Sequence, residues 1–561
     1  MIESDVWRRI RKRLTVSARA FSTNARNRNL LRAQLSFGAA WTSEWALTVV
    51  LTVVAYRDGG AEAAGIVAFA RMAPAAFIAP VGTALADRFP RDRVLSWSCF
   101  IRAGALGAAA AVLAADGSLV AVYGFAVVAT VAFTIFRPAH SALLPTLCMT
   151  PLELTSANVV RGLVDSLSTF AGPLLAALLL ETASAAAAFA AAAALALLSG
   201  LTLLGIAYES PRREQRTPLR GIATEIVEGF RALVRYRDAG LLTWLGLAQT
   251  FTRGALNVFV VVIAIQLLGA GEAGVGVLTA AVGAGAVGGS LGASLVVGGR
   301  RLASVEGLGV ALWGLPLVLV AAFQQETIVL LLMAVIGVGN ALVDIGLFTL
   351  LTRLVPETVL ARVMGAFESM VALTVALGSL VTPFAIDLLG VEAALVAIGL
   401  VAPASVALAW RRLRAIDASI EHRDAEIEVL KKVVMFRPLP MAAIDGLALH
   451  VDHAEFPAGQ AIFNQGDAGD RFYVIALGEA DVIGDGRLVN TIGPGDGFGE
   501  IALLRGTART TTVCARTSLS VYTLERAPFL SAVGGYRSSA DEADALITAR
   551  LAGLAVGSDR P

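Results

Sequence analysis

Twelve apolar runs occupy most of the first 410 positions, near 36–56, 61–84, 94–115, 118–143, 157–180, 183–207, 240–267, 273–297, 304–323, 327–351, 363–387 and 391–410. Each is roughly 20 residues or longer, about what a helix needs to cross a 30 Å hydrocarbon core. The pattern predicts twelve transmembrane helices. A polar, basic stretch at 208–239 divides them six and six; it opens on a Pro-containing turn and continues as a surface helix, EIVEGFRALVRY. After the last run, RRLRAIDASIEHRDAEIEVLKKVV places apolar residues at 413, 416, 420, 427, 430 and 434. That spacing is one narrow helical stripe, which predicts a docked linker helix at 411–437; a dimer-forming coiled coil is the sharper alternative. From about 438 the period changes. EFPAGQAIFNQGD, RFYVIALGEADVI, RLVNTIGPGD and TSLSVYTL read as short strands punctuated by Gly and Asp, as in a small β-barrel. Residues 525–552 return to helix.

The predicted organisation is therefore a basic segment 1–35, helices one to six over 36–207, a linker 208–239, helices seven to twelve over 240–410, the linker helix, a soluble domain at 438–552 and a tail 553–561. Composition agrees: 56% of residues are hydrophobic and 16% charged, against about 25% charged in ordinary soluble domains. The net charge of +1 hides an asymmetry. With the N-terminus inside, the inner segments up to the last span hold twenty-three Arg and Lys and the outer loops one, Arg57. Positive charge marks the cytoplasmic face, so both termini and the soluble domain are expected in the cytoplasm of a cell-membrane protein without a cleavable signal peptide. Cys99, Cys148 and Cys514 have no metal-ligand spacing, which argues against disulfides and a zinc site.

Ionisable residues within the spans are costly, about 2.5–3.5 kcal/mol each at a helix centre, and mark function. They include Glu44, Arg71, Arg102, Arg137, His140, Asp165, Arg253, Asp344 and Glu368. Glu44 and Asp165 are expected to pair with Arg102 or Arg137, and Asp344 and Glu368 with Arg253. Glu44 and Asp344 are the first candidates for carrying coupling protons, against static pairing that locks helices. His140 is expected at the membrane interface. GAGAVG at 283–288 matches a dinucleotide fingerprint, but no strand precedes it and no acid follows at the right distance, so it reads as helix packing. No Walker A loop occurs, and no catalytic constellation suggests an enzyme.

The loop LADRFPRDRVL (85–95) and the 6 + 6 layout resemble the major facilitator superfamily. Ala86, Asp87, Arg88, Arg91 and Leu95 match its loop signature, while Thr83, Pro90 and Asp92 depart from it. The resemblance implies a latch of Asp87, Arg88 and Arg91 at the cytoplasmic helix ends, with a site between two six-helix repeats. FRPAHSALLP and AGPLL are similar to the drug-efflux and enterobactin-exporter branch, and GGRRL (298–302) is a faded copy of the loop.

GEIALLRGTARTTT (499–512) resembles the phosphate cassette of cyclic nucleotide-binding domains, with Arg509 nine residues after Glu500. A cyclic phosphate is a compact monoanion that suits exposed N–H groups and one guanidinium fork. The resemblance implies that Phe498 and Gly499 open the cassette and that Ile501 and Ala502 start a short helix facing the phosphate. It further implies that Glu500 takes the ribose 2′-OH, that Arg509 holds the phosphate beside Thr510 and Thr511, and that Val482 and Val489 wall the base and sugar. Gly459, Gly466, Gly478 and Phe472 fit the same barrel, and a helix after 525 would cover the base. Cyclic AMP is favoured, with cyclic GMP left open. Together these imply a proton-coupled secondary transporter, exporting a small amphipathic molecule and regulated by cyclic nucleotide. The alternatives are a transport-deficient receptor or a lipid or lysolipid flippase. The partners expected are lipid, protons, nucleotide and an unidentified cargo; the chain is a monomer or dimer and needs no cofactor.

Overall fold

The computed structural model describes residues 27–86, 90–148, 151–206, 222–296, 301–439, 441–448 and 450–558. The chain divides into two compact units, Met1–Leu413 and Arg414–Pro561.

The first unit is helical. Among the described residues eleven helices are long and apolar enough to cross a membrane. The longest, Arg28–Ala86, is two helices joined across Gly59 and Gly60, so the count is compatible with twelve. Gly60, at φ 63° and ψ −151°, occupies a conformation that only glycine adopts freely. The predicted single span at 118–143 is broken instead, into Leu119–Thr134 and Phe136–Leu147. Pro138 has no N–H to bond the carbonyl of Thr134, which removes a helical hydrogen bond at the break. The surface helix of the linker is present at Ile222–Arg235. The predicted last span at 391–410 is likewise divided, between Val391–Gly399 and a longer helix, Val401–Leu430.

Small residues set the spacing of these helices. The GAGAVG stretch lies inside helix Gly271–Val296. A Cβ on Gly283 would stand 2.6 Å from the carbonyl oxygen of Thr169, and one on Gly285 would collide with the carbonyl of Ala334. Backbone-to-backbone approach of this kind is how membrane helices associate without a hydrophobic drive between them.

The second unit is a β-roll flanked by helices. Strands β1 (Val451–Phe456), β2 (Ala461–Phe463), β3 (Arg471–Leu477), β4 (Ala480–Gly484), β5 (Arg487–Ile492), β6 (Gly497–Phe498), β7 (Thr512–Ala515) and β8 (Leu519–Glu525) form two four-stranded sheets. Their orders are β1-β8-β3-β6 and β2-β7-β4-β5, and every recorded pairing is antiparallel. β3 reads as an unbroken apolar run because both of its faces are covered. Tyr473 and Ile475 join Phe498, Val513, Leu519 and Val521 between the sheets. Phe472 and Val474 point the other way, into a cluster with Phe436, Leu430 and Phe529. Phe472 and Phe529 stack there at 4.6 Å.

Leu413, Ile416, Ile420, Ile427 and Leu430 are all buried, which uses up the linker stripe within one chain. The sixth predicted member is a correction. Val434 is exposed because the helix has ended and a 3-10 turn, Val434–Phe436, turns Met435 and Phe436 inward instead. Beyond β8 the chain is two helices, Arg526–Gly534 and Arg537–Ser558. Both pack on the core, the first through Phe529, Ala532 and Val533 and the second through Ala543 and Leu546.

Candidate functional site

The cassette begins where β6 pairs with β3, Phe498 opposite Tyr473. Their rings stack at 5.0 Å, and Phe463 leans on both. Gly499 follows at φ 89° and caps the six-residue helix Glu500–Arg505, which ends on a second left-handed residue, Gly506. A side chain at 499 would meet Arg509 Nη1 at 2.5 Å and the carbonyl oxygen of Arg471 at 3.2 Å. Glycine is required there by conformation and by space alike.

Arg509 is 3% exposed. Its Nη1 donates to the carbonyl of Gly499 at 2.8 Å and its Nη2 to that of Arg471 at 2.7 Å. Its nearest carboxylate is that of Asp470, at 3.6 Å. The guanidinium lies 4.2 Å over the Phe463 ring, and its Nε is buried with no hydrogen-bond partner. Burial pushes this guanidinium below its ordinary value, while the neighbouring Tyr473 and Asp470 hold it up; arginine nevertheless stays charged in proteins. Burial likewise pushes the Tyr473 phenol up. The backbone of Arg509 is tied to the loop between β2 and β3: its N–H donates to Asp467 and its carbonyl accepts from Gly466. Gly469 lets that loop press directly on Ala502 of the cassette helix.

Glu500 is 1% exposed and accepts a hydrogen bond at 2.8 Å from Arg550, on the helix Arg537–Ser558. Ile501, Ala502 and Thr511 are buried, and Thr510 is half-buried. Val482, on β4, packs partly buried against the core between the sheets, whereas Val489, on β5, is 41% exposed. Gly459, Gly466 and Gly478 all have positive φ. Arg550 and the loop 464–470 were not legible in the cassette motif, because they reach it from 50 residues away and from another strand pair.

In the helical unit the spans bring the charges into two groups. Glu44 contacts Arg102 at 2.8 Å and Arg71 at 3.5 Å. Arg102 is 1% exposed, lies over Phe133 at 4.5 Å and donates to the carbonyl of Ala129. The second group crosses between the two sets of six helices. Arg137 lies within electrostatic range of Asp165, Asp344 and Glu368, and Arg253 within range of the same three acids. Arg137 stacks over Trp41 and Arg253 over Trp45, one turn apart on the first helix. Arg137, Asp344 and Glu368 are exposed, while Asp165 and Arg253 are half-buried.

The expected direct pairs of Asp165 with Arg137, and of Asp344 and Glu368 with Arg253, do not form contacts within 4 Å; their charges act at longer range. His140 is wholly buried among protein side chains: its Nε2 donates to the Ala33 carbonyl at 3.0 Å, and its ring stacks on Phe136 and tilts against Phe37. Arg161, bonded to Ser141 at 2.6 Å, and the buried Glu306 were missed, although Glu306 is the lone ionisable residue in its span. Arg91 opens helix Arg91–Ala114; Asp87 and Arg88 lie outside the described residues, as do Gly298, Gly299 and Arg300 of the faded copy.

A bundle of apolar helices with clustered charges within its spans, joined in sequence to a β-roll with a buried arginine, defines a multi-pass membrane transporter fold carrying a cyclic nucleotide-binding domain. Residues 35–379, and again 305–450, match the Major Facilitator Superfamily, and residues 453–535 match the cyclic nucleotide-binding domain. The chain belongs to the Major Facilitator Superfamily. Among solved structures it is similar to the regulatory domain of Toxoplasma gondii PKA crystallised with cAMP, at 27% identity, over 20% of this chain and 44% of that one, with a TM-score of 0.19. It is also similar to the regulatory subunit of a cAMP-independent protein kinase A from Trypanosoma brucei, at 29% identity, over 21% and 46%, with a TM-score of 0.20. The chain thus spans under half the length of either protein.

Proposed function

We propose that the protein is a proton-coupled secondary transporter of the cell membrane, exporting a small amphipathic molecule, and that cyclic nucleotide bound at Arg509 in the cytoplasm biases its access equilibrium. The observation that carries the regulatory half is Arg509. A buried guanidinium, held by two carbonyls and paired only at 3.6 Å with the exposed carboxylate of Asp470, is an expensive arrangement for a pocket that never meets an anion. A cyclic phosphate would supply a closer counter-charge beside Gly499 and the start of the cassette helix, and Glu500 would supply the contact to a ribose hydroxyl.

Coupling requires only that the nucleotide bind the two access states with different affinity, typically by 1–3 kcal/mol. In the membrane, Asp165, Asp344 and Glu368 within electrostatic range of Arg137 and Arg253, but not in contact with them, suit a proton-for-cargo exchange. Any of these acids can give up its proton when a guanidinium approaches. Asp87, Arg88 and Arg91 would form the latch at the inner helix ends.

Calorimetry of the purified chain with cAMP and cGMP, beside Arg509→Ala, tests the reading. Micromolar binding, roughly −8 kcal/mol, lost in the variant, together with nucleotide-dependent proton flux in proteoliposomes, is expected. Absence of binding by the intact chain would refute the regulatory half.

A further inference from the structure

Glu44 faces two arginines, and one carboxylate cannot neutralise both. Arg102 takes Oε2 at 2.8 Å, while Arg71 stands off Oε1 at 3.5 Å and donates to the Thr48 hydroxyl at 3.1 Å instead. Arg71 is 4% exposed. Its Nη1 and the Nη2 of Arg102 are both buried with no hydrogen-bond partner. A third guanidinium, that of Arg253, also lies within electrostatic range of Arg71, though it faces acids of its own. Uncompensated positive charge of this kind is strongly disfavoured in a membrane interior.

Beside it is a small pocket. Arg71, Thr48 and Thr52 line it together with Asn257, which comes from the second set of six helices; its other walls are aliphatic. The hydroxyls of Thr48 and Thr52 already donate to the carbonyls of Glu44 and Thr48. The donors left for a ligand are Arg71 and the Asn257 amide. The pocket therefore offers hydrogen-bond donors, surplus positive charge and little room.

We propose that this pocket binds a small monovalent anion, of the size of chloride or of a single carboxylate group, between Arg71 and Asn257. The anion completes the charge balance that Glu44 leaves unfinished, and it does so where the two sets of helices meet. The site is separate from the nucleotide pocket and does not depend on how that pocket works.

The test is thermal unfolding of the full purified chain in detergent at fixed pH and ionic strength, with sodium gluconate, whose anion is too large for the pocket, replaced stepwise by chloride, bromide or formate. A saturable rise in melting temperature is expected with the small anions. Arg71→Gln should abolish the saturable part. Glu44→Gln should move half-saturation in the opposite direction, to at least about tenfold lower anion, because it removes one opposing unit charge a few ångström away at an effective dielectric of about 20. A response to formate without halide would assign the site to the carboxylate end of a larger molecule and still support it. If Arg71→Gln does not fold, excess broadening of the chloride-35 resonance by the unmodified protein, reversed by bromide, reads the same site. A flat titration with all three anions, or an Arg71→Gln titration that matches the unmodified chain, overturns the proposal and leaves the pocket to water.

Discussion

Gly499→Ala tests whether the cassette glycine is there for the ligand's arginine. The φ of 89° alone strains an alanine by about 1–2 kcal/mol. The new Cβ would also stand 2.5 Å from Arg509 Nη1, and the guanidinium cannot retreat freely because Nη1 and Nη2 are each bonded to a carbonyl. Hydrogen bonds to charged groups contribute about 1.5–3 kcal/mol each. Displacing the fork far enough to break one of them brings the total to roughly 3–5 kcal/mol. Gly506→Ala is the control. It sits at φ 65° at the other end of the same helix, but its Cβ would meet nothing closer than 3.9 Å, so it carries the backbone strain alone. Thermal unfolding and nucleotide calorimetry on both full-length variants separate the two effects. Gly506→Ala should lose about 1 kcal/mol of stability and keep its affinity. Gly499→Ala should lose more stability and at least about tenfold in affinity, the equivalent of 1.4 kcal/mol. Equal behaviour of the two variants would refute the claim that room for the guanidinium is what the glycine provides.

Other outcomes follow from the same contacts. Arg550→Ala leaves the Glu500 carboxylate buried without its partner, which should cost about 1–3 kcal/mol in denaturant unfolding and raise nucleotide affinity by freeing the carboxylate for a ribose hydroxyl; a fall in affinity would show that Arg550 is needed to hold the ligand. Asp344→Asn should flatten the dependence of transport on the proton gradient in proteoliposomes, and normal pH-dependent transport would remove this residue from the coupling scheme. Phe472→Ala opens a hole between Phe436 and Phe529 and should destabilise the β-roll by about 3–5 kcal/mol, read by denaturant unfolding.

Much of the architecture was legible because its causes are local. A run of apolar residues long enough to span, and a change of period from helical to alternating near 438, are properties of neighbouring positions. The cyclic nucleotide-binding domain was legible for the same reason, since Gly499, Glu500 and Arg509 stand at close spacing in the chain. What escaped depends on approach from elsewhere in the chain. Arg550 meets Glu500 only because a helix folds back from beyond β8. Asp165 and Arg137 face acids and a base from the other set of six helices, which no pattern within one span records. The packing of His140 was not legible either, because the Ala33 carbonyl and the Phe37 ring that enclose it come from a helix far back in the chain.

Glycine also lies along the seams between the two sets of helices. Gly65 rests on Ser379 and Pro383, while Gly276 and Gly283 rest on the backbone of residues 169–177. Where side chains interlock, two surfaces must unmesh before either can tilt. Where backbone slides on backbone, a small rotation changes few contacts. These two lines would serve as bearings if, as proposed, one set of helices rocks against the other. Bulk added at Gly65 or Gly276 would act less as a hole or a clash in a core than as grit in a hinge, holding the protein open to one side.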